Sequence, residues 1–134
     1  MLEENAQHAA TVLVLHSGSL STAAQDALQA SAAALGHVFP AVFADVQGLS
    51  PQSLSFLVHE RDPWSVVAVD DASIDALRAA FDIGEENFAP DAPTIECGYT
   101  LVAVPGFADC LQDQTAKRIA WERLKAVKHP GSPY

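Results

Sequence analysis

Three groups of residues bring together side chains that could do chemistry. His16-Ser17-Gly18-Ser19 sets an imidazole beside two hydroxyls in a glycine-containing turn. Asp70-Asp71 places two carboxylates next to each other, and five histidines and two cysteines, Cys97 and Cys110, complete the metal-ligating and nucleophilic groups. The backbone amides of the 16–19 turn, ahead of a helix, suit a small anion. The turn is neither GxGxxG nor a Walker loop, and serine and glycine equally serve plain capped turns. Ser17 and Ser19 are poor nucleophiles for His16, because neighbours on an extended chain point to opposite faces and no GxSxG elbow frames them. Asp70-Asp71 offers a divalent cation two oxygen ligands without a third, and Asp70, Asp71 and Ser73 all favour a helix start. No histidine stands four residues from another histidine or cysteine, and no CxxC occurs. Neither a zinc site nor a cofactor is expected.

The elements that must position these groups alternate. Thr11–Leu15 is a continuous apolar run, as in a strand buried on both faces. Ser21 or Thr22 caps an alanine-rich helix through Ala34, with Gly36 just beyond its end. Val38–Ala44 reads as a second strand weakened at Pro40. Ser50-Pro51 starts a helix that stops near Asp62-Pro63 and carries Leu54, Leu57 and Val58. Ser65–Val69 is a third strand. Ser73 caps a helix carrying Ile74, Leu77, Ala80 and Phe81 and ending at Gly84. Residues 85–97, with Pro90 and Pro93, form a loop or a short edge strand, and Tyr99–Val104 is the fourth main strand. A last helix from about Asp113 to Lys128 presents Ala116, Ile119, Ala120, Leu124 and Val127 as its apolar face, and the tail from His129 is expected to fray. This order predicts a three-layer α/β/α sandwich with a mainly parallel four-stranded sheet. In such a sheet ligands bind at the carboxyl ends of the strands: His16–Ser19, Ala44-Asp45, Asp70-Asp71 and Val104-Pro105-Gly106.

A chain of 134 residues is expected to form one domain, residues 1–134 with a core of about 11–128. The net charge of −10 is unevenly spread. Residues 1–110 contain Arg61 and Arg78 against fifteen acids, a balance of −13, whereas residues 111–134 hold five cations against two acids, a balance of +3. So acidic a body repels phosphate and predicts weak or no DNA binding. Lys117, Arg118, Arg123, Lys125 and Lys128 cluster on the last helix. Such a run is either a solvated face or a partner surface. No apolar run approaches the length of a membrane helix. The acidic Met1-Leu2-Glu3-Glu4 is unlike a secretory signal. A cytoplasmic setting and two reduced, partly buried thiols are therefore expected.

The chain resembles known families at particular residues. Asp70-Asp71 is similar to the phosphoacceptor of receiver domains, but His16-Ser17 and Val104-Pro105 replace the acidic pair and the lysine that chemistry requires. A broader resemblance is to the iron-sulfur type of uracil-DNA glycosylase, whose last core strand ends in His-Pro. An aromatic, a leucine and a helix of pattern K-x-x-x-W-x-x-L follow. This sequence has Val104-Pro105, Phe107, Leu111, Lys117, Trp121 and Leu124. "RDPWSVVAVDDASIDALRAAF" resembles the family's third strand and helix. The resemblance spans about residues 11–128 and implies a glycosylase-like fold. The family's first-motif acid is missing from His16–Ser19, the motif histidine is Val104, and two cysteines do not make a cluster site. Base flipping needs a polar pocket and a cationic surface that the first 110 residues lack. The C-terminal segment is most similar to the psi-subunit family of bacterial DNA polymerase III, a non-catalytic relative.

These residues lead to the expectation of a non-enzymatic adaptor domain in replication or repair. Its candidate pocket is His16, Ser17, Gly18, Ser19, Asp70, Asp71, Val104 and Pro105, and its candidate protein-partner surface is Trp121, Lys117, Arg118 and Lys125. The alternatives are a divergent DNA glycosylase and a flavodoxin-like domain binding a small anion or nucleotide at the first turn.

Overall fold

The computed structural model describes residues 12–38, 40–90 and 93–128, so the tail from His129 lies outside the described residues. The apolar runs become the centre of one sheet. Strands β1 (Val12–His16), β2 (Val42–Asp45), β3 (Ser65–Ala68), β4 (Thr94–Glu96) and β5 (Tyr99–Ala103) lie in the order β2-β1-β3-β5-β4. The four main strands are parallel, with Leu13 opposite both Val42 and Val66, and Val66 opposite Leu101. Strand β4, one of the two readings of residues 85–97, joins the expected four. It returns antiparallel on β5 through Cys97-Gly98, at φ of +52° and +87°. A two-residue turn with both φ values positive matches the twist of paired strands, and glycine suits its second position.

Alternation along each strand divides the apolar residues between two layers. Val12, Val14, Val67, Val69, Val102 and Val104 face α1 (Thr22–Ala34) and α5 (Gln114–Leu124), meeting Ala24, Leu28, Ala32, Ala120 and Leu124. Leu13, Leu15, Val66, Ala68, Leu101 and Ala103 face α2 (Pro51–Arg61) and α3 (Asp71–Phe81), meeting Leu54, Val58, Ile74 and Leu77. A sheet covered on both faces needs no polar alternation, which is why its central strands read as unbroken apolar runs.

The helix ends follow local chemistry. Ser21 and Ser50 accept from the amides of Ala24 and Ser53. After α1, Gly36 N–H bonds Ala33 O and His37 N–H bonds Ala32 O, a Schellman end with glycine at its positive-φ position. Buried His37 then places Nε2 against the carbonyl oxygen of Val127, joining that end to the turn after α5. Helix α3 is capped by Asp70, three residues before the expected Ser73, which instead completes a capping box at its third position. It stops at Asp82, in the left-handed region at φ +54°, before Gly84. The second strand starts at Val42, past Pro40, and leaves Val38 exposed. The last helix is also shorter than expected. A four-residue helix α4 (Phe107–Cys110) precedes α5, and residues 125–127 tighten into a 3-10 turn.

One of the two body arginines is structural. Arg78 donates from Nε and Nη2 to Phe88 O at 3.0 and 2.8 Å, and from Nη1 to Asp75 Oδ1 at 3.0 Å. It pins the segment after α3 over the fully buried Phe88.

Candidate functional site

The strand order brings His16–Ser19, Asp45 and Asp70 to one edge, and their own groups close on each other there. Ser17 N–H donates to Asp70 Oδ2 at 2.9 Å, and Gly18 N–H donates to Asp45 Oδ1 at 3.0 Å. The second Asp70 oxygen, Oδ1, accepts from Ser73 N–H at 2.8 Å, so this carboxylate caps α3 and holds the first turn at once. Asp45 Oδ1 also accepts from Gln47 N–H at 2.9 Å. The amides of Gln47 and then Gly18 hold the Asp45 carboxyl below the ordinary aspartate range, against an opposing desolvation and with a still smaller pull from His16.

These bonds change what the turn can do. The two amides expected to meet an anion already meet carboxylates, and a phosphate arriving there would face two negative charges. His16 Nδ1 lies 2.6 Å from Gly18 O. Among the described residues, no hydrogen bond joins His16 to Ser17 or Ser19. Asp71 sits exposed in the first turn of α3, where its charge favours the helix N-terminus. No group of three or more His, Cys, Asp or Glu able to hold a metal occurs among the described residues.

Val104 takes no part in these bonds. Its N–H continues the ladder to Ala68 O at 2.8 Å, and its side chain is buried among Val69, Val102 and Phe107. The position that carries a histidine in the glycosylase resemblance therefore points into the core. Pro105, half-buried, and Gly106, at φ +65°, turn the chain into α4. Asp45 was not among the candidate pocket residues. Its strand end, Ala44-Asp45, is among the ligand positions the sequence offers, and the pairing of β2 with β1 brings it to Gly18.

The remaining histidines and cysteines are separated. Exposed His59 lies with Nδ1 3.0 Å from Tyr99 Oη, and both rings meet Phe81. His37 is buried, while His8 and His129 lie outside the described residues. Cys97 is exposed on the β4–β5 turn, against the expectation of a partly buried thiol. Cys110 is half-buried, and burial pushes its thiol above the ordinary range, with Lys117 opposing. Such a thiol is a weak nucleophile.

The candidate partner surface falls on α5. Asp113 caps this helix, its Oδ1 accepting from Thr115 N–H at 3.0 Å. Trp121 and Lys117 line a cleft of about 270 Å³ between α1, α4 and α5, with Phe107, Leu111 and Leu124 among the apolar walls. A second cleft, about 300 Å³, runs along the other flank of α5 between Ile119, Arg123 and Pro93. Ile119, expected on the buried stripe, is 46% exposed there. Lys117 and Arg118 are exposed, whereas Lys125 is half-buried and pairs with Glu122 at 3.1 Å. No helix among the described residues is long and apolar enough to cross a membrane.

No protein family matches the chain, and no curated protein does. Among solved structures, it is similar to the lysine decarboxylase LdcF of Francisella novicida, at 12% identity and a TM-score of 0.36. The match covers 89% of this chain but 18% of that enzyme. So low a score carries no argument about fold or activity.

Proposed function

We propose that this chain is a non-enzymatic α/β domain that binds another protein through α5, in the manner its resemblance to psi-like relatives of the glycosylase fold implies. Its setting is DNA replication or repair. The observation that carries this reading is the helix itself. It presents Lys117 and Arg118, an exposed Ile119 and a half-buried Trp121 between two clefts. Aromatic and arginine side chains beside apolar hollows are what binding surfaces concentrate. The strand-end turn favours no catalytic reading, since its amides are occupied by Asp45 and Asp70.

The test is affinity capture with the purified chain, followed by binding of the recovered protein in purified form. A replication or repair protein should bind the natural chain and be lost with Arg118→Glu, an exposed change that leaves the core intact. Trp121→Ala, checked for folding, should act in the same direction. An unchanged set of bound proteins in both variants counts against the reading. So does robust uracil release from single- or double-stranded DNA that disappears when His16 is changed.

A further inference from the structure

We propose that the cleft between α1, α4 and α5 receives a large apolar side chain from an acidic segment of the partner protein. This rests on the reading that the chain binds a protein through α5, and it adds the chemistry of what is bound. The cleft's volume of about 270 Å³ is the first argument. Pockets for small molecules run from about 300 to 1,000 Å³. This hollow lies at the small end of that scale and has room for one large side chain. Its walls, Phe107, Leu111, Trp121 and Leu124, are apolar and offer a Leu, Phe or Trp anchor dispersion contacts and release from water.

Charge supplies the second argument. Lys117 is part of the cleft wall, and exposed Arg118 follows it on the same helix. Neither forms an ion pair among the described residues, unlike Lys125, which is held by Glu122 at 3.1 Å. The rest of the chain is strongly acidic, with fifteen acids against two arginines in residues 1–110. An acidic segment is thus repelled over most of the surface and attracted at α5, so the field selects both the partner's sign and its place of docking. Screening over about 8 Å at physiological salt keeps that selection local to the helix. A basic partner would instead be drawn to the body, away from the cleft.

The experiment is selection of a random peptide-display library on the full chain, with the winning peptides then synthesised. The account expects acidic residues flanking a large apolar one. Binding should weaken about tenfold with Lys117→Glu, and also with Ala27→Leu, which narrows the cleft; both variants are checked for folding. Bound peptide should slow alkylation of Cys110 and leave that of Cys97 unchanged. Basic or uncharged winners overturn the proposal, as do acidic winners that bind both variants as well as the natural chain. Those outcomes leave protein binding itself standing, whereas recovery of no peptide removes the proposal together with the reading it rests on. Salt-sensitive self-association seen by sedimentation and abolished by Lys117→Glu assigns the cleft to a second copy and also overturns it.

Discussion

The backbone N–H of Ser17 donates to Oδ2 of Asp70 across 2.9 Å, tying the end of β1 to the start of α3. These residues are separated by 53 positions in the sequence and meet because β1 and β3 are adjacent parallel strands. Asp70 therefore does two jobs. Asp70→Ala should lower stability by about 1–2 kcal/mol through the lost cap alone, with a further loss from the freed Ser17 amide. Asp70→Asn, which keeps an acceptor, should recover much of the cap. Urea unfolding of the three proteins measures the ranking, and equal stabilities would remove the dual role.

Asp45 gives the turn a pH dependence. Its folded carboxyl titrates below the ordinary aspartate range because the amides of Gln47 and Gly18 favour the charged form. A lowered folded pKa stabilises the fold above the unfolded pKa, and that contribution is lost as the pH falls through the folded value. The stability gap between the natural chain and Asp45→Asn should therefore be full at neutral pH and shrink below about pH 4. Thermal unfolding at a series of pH values reads it directly. A gap that grows on acidification has the wrong sign for this account.

Arg78 should prove a stability residue. Its guanidinium forks onto Phe88 O at 3.0 and 2.8 Å while bonding Asp75. Arg78→Ala should cost about 1.5–3 kcal/mol, the range for hydrogen bonds from a charged group. Arg78→Lys should rescue little, because an ammonium lacks the planar fork. Complete rescue by lysine in urea unfolding would reduce the contact to simple charge.

Val104→His would create a His-Pro pair like that of the glycosylase resemblance. Val104 is 1% exposed and packed with Val69 and Phe107, so an imidazole there enters the core. The variant should lose about 1–3 kcal/mol for a buried polar group without a ready partner, and it should release no uracil from DNA. Uracil release with unchanged stability would mean the side chain reaches an open pocket.

Much of the fold was legible because its central strands are covered on both faces. Val12–Leu15, Val66–Val69 and Leu101–Val104 could be read as strands from their unbroken apolar character alone. Gly36 and the Asp113 cap were equally local signals. What stayed hidden was tertiary. The sequence left residues 85–97 open between a loop and a short edge strand; Thr94–Glu96 is that strand, but its exposed Ile95 and its Cys97-Gly98 turn, in place of the usual Asn-Gly, did not fix its pairing with β5. Ile119 fits helical spacing for the buried stripe, yet it is 46% exposed and lies in a surface cleft with Pro93 and Arg123. The site was legible as a set of strand ends and illegible as chemistry. His16–Ser19 reads equally as an anion turn and as a plain capped turn, and the choice depends on Asp45 and Asp70, which reach its amides from two other elements.

The central claim is that this turn is closed by the chain's own carboxylates, Asp45 and Asp70. The most direct measurement follows the amide resonances of Ser17 and Gly18 in ¹⁵N-labelled protein during titration with inorganic phosphate and with AMP. The account predicts that neither resonance moves with saturation. Saturable shifts at both amides, tightening when Asp45 is changed to Asn, would contradict it.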